Sequence, residues 1–299
     1  MSGVKSVLVT GAAGNLGQKL IAHLLGTGWC ERVVGVDVAE GEAGHGDPRV
    51  SYRVADLADA EDPGWRRAVA DVDALVHFAA ANPSPDASWE ESVVSYDMTA
   101  NLVAAALAGP VKRFVFATSN HVMGQYKDPP RADRIGPGRL TTDLEPGPGT
   151  TWFDGTRTRQ GTAYAVSKLM GERLLTSAAA VSGGRLTAVS LRIGWCQPGE
   201  NRPETISATG LPADQSPAPD YPEAQRDLAW FRGMWLSNRD FLQVVEKALR
   251  AEAGAWPAPG IVVNAMSDNA GMVWDLGATR RLLGYTPQDD LYRSLSAGP

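Results

Sequence analysis

Val7-Leu8-Val9-Thr10-Gly11-Ala12-Ala13-Gly14-Asn15-Leu16-Gly17 is an apolar strand that runs into a T-G-x-x-G-x-x-G turn and leaves it as a helix. The three glycines let the chain reverse tightly, let backbone approach a pyrophosphate with no Cβ in the way, and let helix pack closely on strand. Unpaired N–H groups at the start of such a helix face an anionic ligand. The chain holds 32 glycines, so the triplet alone carries little weight. Its context carries more. The following helix puts Leu16, Leu20, Ile21, Leu24 and Leu25 on one face, and the next strand, Arg32 to Asp37, ends on a carboxylate about 20 residues past the last glycine. An acid there accepts hydrogen bonds from an adenosine ribose and repels a 2′-phosphate, which favours NAD over NADP. The plainer alternatives are a tight turn without a ligand and a solvated carboxylate at a strand end.

Working outward, strand and helix patterns alternate, with strands near Ser51 to Ala55, Ala74 to Ala79, Arg113 to Thr118 and Leu186 to Ile193. Alternation of this kind predicts an α/β fold of the Rossmann type, a doubly wound parallel sheet with helices on both faces. Trp89 to Leu107 reads as a buried helix, Phe241 to Leu249 as an amphipathic one, Ile261 to Asn264 as a strand, and Ala270 to Leu283 as a last helix. Two stretches, Lys127 to Gly161 and Pro198 to Pro222, are rich in Pro and lack useful periodicity. Loops this long inside a domain are expected to enclose a substrate. The division expected is a core over residues 1–194 and a small lobe over 195–299, with some segments of the lobe returning to the core.

Bulk properties narrow the partners. At 299 residues and 43% hydrophobic composition the chain can build a full α/β core. A formal net charge of −6 gives no basic field for nucleic acid or an anionic membrane, so a small-molecule substrate is expected, with a homo-oligomer as the assembly. Cys30 and Cys196 are too few for a disulfide framework or a zinc site, so no metal is expected. No apolar run reaches membrane length and no signal-peptide pattern opens the sequence, which suggests a cytoplasmic protein.

The chemistry gathers at Phe116-Ala117-Thr118-Ser119-Asn120-His121 and at Tyr164-Ala165-Val166-Ser167-Lys168. A Y-x-x-x-K pair on a helix puts phenol and ammonium on one face, and a nearby ammonium lowers a phenol's pKa from its free value near 10 toward general-base work. Ser119, at a strand end, either shares the reacting oxygen or caps the next segment. His121 is either a polar substrate contact or a packing residue.

Together these motifs resemble the extended short-chain dehydrogenases/reductases, over nearly the whole chain. The likeness rests on Thr10 to Gly17, Asp56-Leu57, His77-Phe78-Ala79-Ala80, Ser119, and Tyr164 with Lys168. Within that family the chain is most similar to the uronate dehydrogenases, through Ser119-Asn120-His121, Leu191-Arg192-Ile193-Gly194, Trp235-Leu236-Ser237 and Ser267-Asp268-Asn269-Ala270-Gly271. The resemblance implies oxidation of a small, anionic sugar to a lactone with NAD. It implies a cofactor site of Gly11, Ala13, Gly14, Asn15, Leu16, Gly17, Asp37, Asp56, Leu57, Phe78, Ala79 and Ala80 with Tyr164 and Lys168. Catalysis would fall to Ser119, Tyr164 and Lys168. Substrate would meet Asn82, Ser119, Asn120, His121, Tyr164, Trp195 and Arg232, with Arg226 or Arg232 gripping the anion. Asn82 and Trp195 stand where that family has serines, and Trp230 stands where it has an arginine. A sugar-nucleotide epimerase, a dehydrogenase of another polyol or an aryl alcohol, and a non-catalytic NAD sensor are the alternatives; the retained Tyr164 and Lys168 weigh against the last.

Overall fold

The computed structural model describes residues 3–210, 212 and 220–297. A seven-stranded sheet runs through it, with every neighbouring pair parallel. In chain order the strands are β1 (Ser6–Thr10), β2 (Arg32–Asp37), β3 (Val50–Val54), β4 (Ala74–His77), β5 (Arg113–Ser119), then, after a two-stranded hairpin of β6 (Thr151–Phe153) and β7 (Thr158–Gln160), β8 (Thr187–Ile193) and β9 (Gly260–Ala265). Their spatial order is β3-β2-β1-β4-β5-β8-β9, so the chain changes direction between β1 and β4. That reversal opens a crevice at the strands' carboxyl ends, where ligands of such sheets bind.

Strand sequences are nearly continuous in apolar residues because both faces are covered. Alternate side chains go to opposite layers. Val7, Val9, Val33, Val76, Val115 and Val189 pack with α1 (Asn15–Gly26) and α6 (Asn238–Arg250). Leu8, Val34, Leu75, Phe114, Phe116 and Ala188 pack on the other side with α2 (Pro63–Val69), α3 (Trp89–Ala108) and α4 (Thr162–Val181). Helix α3 starts cleanly because Ser88 and Glu91 form a capping box, each side chain bonding the other's backbone. Helix α5 (Ala224–Gly233) sits over the crevice end.

One expectation changes. The helix expected over Ala270 to Leu283 is α7 (Gly277–Leu283), starting well after Ala270, because Gly271 takes a left-handed turn at φ 74° and Trp274 forms a bridge with Leu140. A further short helix, α8 (Leu291–Ala297), follows it. The seventh strand of the sheet and α6 both come from beyond residue 195, so the C-terminal third supplies sheet as well as cleft wall. The expected enclosing stretch Lys127 to Gly161 contains the β6–β7 hairpin, whereas residues 211 and 213–219 of the second stretch lie outside the described residues. Among the described residues no helix is long and apolar enough to cross a membrane.

Candidate active site

A cleft of about 960 Å³ lies along the carboxyl ends of the strands. Its floor at one end is the glycine turn. Gly11 adopts φ 68°, and a Cβ there would meet the Ala79 amide at 2.9 Å. A Cβ on Gly17 would lie 2.2 Å from the Gly11 carbonyl oxygen, so only glycine lets α1 begin this close to the turn. Asp37, at the end of β2, accepts from the Ala13 amide at 3.0 Å and the Val38 amide at 2.7 Å while facing the cleft. Asn15, Leu16, Leu57, Phe78, Ala79 and Ala80 line the same half. Ala13, also expected here, is not among the lining residues; its amide goes to Asp37. Asp56 departs from the expectation: it is exposed, stands outside the cleft wall, and its carboxylate takes the Ala58 amide at 2.8 Å to close a local turn. Asn15 turns its amide toward the Cys196 and Gln197 carbonyls, which ties α1 to the loop after β8.

Ser119, Tyr164 and Lys168 meet midway along the cleft. Ser119 ends β5, with its hydroxyl near enough to the Tyr164 phenol to lower that phenol's pKa. Its hydroxyl also accepts from the His121 amide at 3.2 Å, so the serine both caps the helical turns of 120–127 and faces the site. Lys168 sits one turn beyond Tyr164 on α4; its Nζ donates to the Ala117 carbonyl at 3.0 Å and lies 5.6 Å from the Tyr164 ring centre. Burial pushes the Lys168 ammonium down to about 8. Burial also pushes the Tyr164 phenol up to about 12, against the lowering effect of Ser119. The expected depression of that phenol is therefore absent here, because the ammonium points at a backbone carbonyl rather than at the phenol oxygen.

Behind this trio, Glu172 lies one further turn along α4 and takes a bidentate pair from Arg192 of β8, at 2.9 and 2.8 Å, with the Thr118 hydroxyl at 2.8 Å. All three are buried. The network clamps α4 to β5 and β8 directly beneath Ser119. On the other side His77 is held between the hydroxyls of Thr10 and Thr99, at 2.7 and 3.0 Å, and burial lowers it to about 3. It is a neutral brace across the point where the strand order reverses.

The other half of the cleft, where the substrate is expected, is lined by some of the expected residues and not by others. Asn120, His121 and Trp195 line it. Asn120 donates to the Ile193 carbonyl at 3.0 Å, and its buried Oδ1 has no partner among the described residues. His121 bonds the Thr150 hydroxyl at 2.7 Å through Nδ1, and burial lowers it to about 4, so the imidazole is neutral. Trp195 packs edge-on against Phe231, with ring centres 5.6 Å apart. Asn82 does not line the cleft; its amide is spent on the Glu91 carboxylate at 3.1 Å and its Oδ1 on the Ser84 amide, which braces the loop after β4. Arg226 and Arg232 do not line it either. Arg226 pairs with Asp128 at 2.9 Å, and the Arg232 Nε is buried with no partner among the described residues.

The cleft's arginine is instead Arg159 on β7, accompanied by Asp154, Trp152 and Asp86. None of these was anticipated individually. The sequence signal was Asp154-Gly155 between two short β-prone runs, a hairpin-turn pattern inside the stretch already singled out as enclosing.

The model of the NAD dependent epimerase/dehydratase family matches residues 7–197. The chain belongs to this family. It is an NAD-dependent dehydrogenase, and the glycine cradle with its close backbone contacts fits a dinucleotide. Its relatives include the L-arabinose 1-dehydrogenase (NAD(P)(+)) of Haloferax volcanii, 30% identical, with 95% of this chain and 96% of that protein covered. A uronate dehydrogenase of Pseudomonas putida is 27% identical, over 95% of this chain and 84% of that one. Among solved structures, a mutant uronate dehydrogenase from Agrobacterium tumefaciens complexed with NAD superposes with a TM-score of 0.65 at 26% identity, covering 98% of this chain and 88% of that one.

Proposed function

We propose that the chain oxidises carbon 1 of a free, uncharged aldose to the lactone, with Tyr164 as general base. The observation that carries this reading is the convergence of Ser119, Tyr164 and Lys168 on one cleft with the glycine cradle. The relatives' names support the class, since arabinose and uronic acids are both aldoses with an oxidisable hemiacetal at carbon 1.

In this reading Gly11, Gly14 and Gly17 admit the pyrophosphate, Asp37 takes the adenosine ribose, and Lys168 reaches the second ribose. NAD, when bound, supplies the hydride acceptor. The substrate loses the hydrogen on carbon 1 as hydride and its O1 proton to Tyr164, leaving a C1=O bond, NADH and one proton. Ser119 steadies O1 as it becomes a carbonyl oxygen. Burial keeps Tyr164 protonated until a cation opposes it, and the Lys168 ammonium is the chain's own cation for that purpose. Asn120 Oδ1 and His121 offer polar contacts to the sugar's other hydroxyls.

The substrate is read as uncharged because Arg226 and Arg232 stand away from the cleft, while Arg159, which faces it, already holds two carboxylates. A uronic acid is the second reading, favoured by that same arginine. Self-association is supported by Trp89 and Val93, one turn apart on α3, and Met170 on α4, all exposed apolar side chains. The cytoplasm suits an enzyme drawing on the cellular NAD pool.

Replacement of Tyr164 by Phe keeps the ring and removes the proton acceptor. NADH formation with an aldose is expected to fall by about 10²–10⁴-fold, with NAD affinity, read by fluorescence titration, unchanged. Near-normal turnover in Tyr164→Phe would overturn the base assignment. An epimerase would instead interconvert sugars with no net NADH.

A further inference from the structure

The hairpin β6–β7 turns one cation into the substrate half of the cleft and then surrounds it. Arg159 Nε donates to Asp154 Oδ2, and Nη1 donates to Asp86 Oδ2 at 2.9 Å. The carboxylates arrive from different places: Asp154 opens the hairpin turn, and Asp86 belongs to the loop after β4, 73 residues away in sequence. All three residues line the cleft. Asp154 is structurally committed, because its Oδ1 accepts from the Thr156 amide and hydroxyl at 2.8 and 2.7 Å and from the Arg157 amide at 2.9 Å. These bonds hold its carboxyl well below the usual carboxylate range. Asp86 is not committed in this way. Among the described residues it takes, beyond Arg159, only the Ser84 hydroxyl, and its side chain is 31% exposed. The Nη2 of Arg159 bonds no described residue.

One guanidinium between two carboxylates is a locally anionic group with one free donor edge. Such an edge suits a hydroxyl, which accepts one hydrogen bond and brings no charge. A substrate carboxylate would have to displace Asp86 or lie beside it, and like charges held this close oppose each other. We propose that the Arg159–Asp86 pair sets the charge selectivity of the cleft: paired, it holds neutral sugars by hydroxyl contacts and rejects acidic ones, and removal of the Asp86 charge opens Arg159 to a substrate carboxylate. The inference rests on the aldose reading above, and deepens it by assigning the residues that choose among aldoses.

L-arabinose, D-galactose and D-galacturonate share their ring configuration at carbons 1 to 4 and differ at carbon 5, which carries hydrogen, hydroxymethyl or carboxylate. The test measures kcat/KM with NAD for these three sugars in the wild type, Asp86→Asn, Asp86→Ala, Arg159→Ala and the Asp86→Asn/Arg159→Ala double variant. The wild type is expected to favour the two neutral sugars. Either Asp86 variant should raise the galacturonate-to-galactose ratio by about tenfold or more, since one removed like charge at this range shifts an equilibrium by about one decade or more. The double variant should lose that gain, and Arg159→Ala should raise KM for all three sugars. An unchanged ratio in both folded Asp86 variants, or a gain that survives loss of Arg159, overturns the inference. If the wild type forms no NADH from any of the three, the aldose reading fails separately. Calorimetric binding of galacturonate to the NAD-loaded wild type and Asp86→Asn then still decides the inference, because equal affinities refute it and tighter binding by the variant upholds it.

Discussion

The cofactor half of the cleft is made of strand ends and the turns directly after them, whereas the substrate half is made of loops, a hairpin and a helix drawn from several separate stretches of chain. The first half works by shape. Its walls are backbone and small side chains: Gly11, Gly14, Gly17, Ala79 and Ala80, with Asp37 as its carboxylate at the end of β2. The second half works by paired charge. Arg159 with Asp86 and Asp154, Lys127 with Asp227, and Arg226 with Asp128 all hold loops together around it. Shape can be specified by a few adjacent residues, but charge pairing needs two distant segments to arrive together. Substitutions in the two halves should therefore fail in different ways.

Acidification strikes both halves and carries the largest expected effect, because each half contains a buried neutral histidine. His77 braces the cofactor half with a pKa lowered to about 3, and His121 lines the substrate half at about 4. Since both folded values lie below the unfolded value near 6.5, their contribution is complete above pH 6.5 and declines as pH falls toward 4 and 3. Between those limits the unfolded chain binds protons that the folded chain refuses, which costs about 1.4 kcal/mol per histidine per pH unit. Denaturant midpoints measured from pH 7 to 4 should fall steeply, and His121→Gln should flatten this slope. A slope that is the same in that variant would show that His121 is not held neutral.

The Lys127–Asp227 pair is next. Both side chains are 3% exposed, and the Tyr221 hydroxyl also donates to Asp227, at 3.2 Å. The pair fastens α5 to the turns that follow Ser119. Lys127→Met leaves a carboxylate buried beside no buried cation, and should cost about 3–5 kcal/mol in urea unfolding. Adding Asp227→Leu should recover much of that loss, because two apolar groups of similar volume replace a pair that burial made expensive. The damage should appear in sugar KM while NAD affinity stays near the wild-type value, since the pair anchors α5, whose Phe231 lines the substrate half. Equal losses in both would dissolve the distinction drawn between the halves.

The same distinction explains what could be read in advance. The parallel sheet followed from the strand–helix alternation, and the glycine turn with Asp37 from local spacing, because each depends on residues close in sequence. Ser119, Tyr164 and Lys168 were legible for a related reason: a strand end and a helix face put them in place without help from loops. Asp56, Asn82 and Arg232 were assigned by resemblance, yet each lies outside the cleft wall. Their orientation is set by turn bonds to Ala58, Ser84 and Glu91, or by packing of α5, and no short pattern encodes that. Arg159 escaped notice because its meaning depends on Asp86, a contact across 73 residues that only the folded loops create.

Gly17→Ala tests the shape half with the smallest chemical change available. The new Cβ would fall 2.2 Å from the Gly11 carbonyl oxygen and 2.8 Å from the Ala12 Cα, both on the backbone, so no side chain can swing aside to admit it. Helix α1 must move away from the turn by a fraction of its own contact distance, at about 1–3 kcal/mol. That shift also withdraws the helix's first amides from the position where an anionic ligand would receive them. NAD affinity should consequently fall, with the sugar KM measured at saturating NAD staying near the wild-type value, the reverse of the pattern expected for Lys127→Met. If Gly17→Ala binds NAD normally and loses sugar affinity instead, the glycine turn is not the cofactor's cradle. The two halves would then have to be exchanged in any account of this cleft.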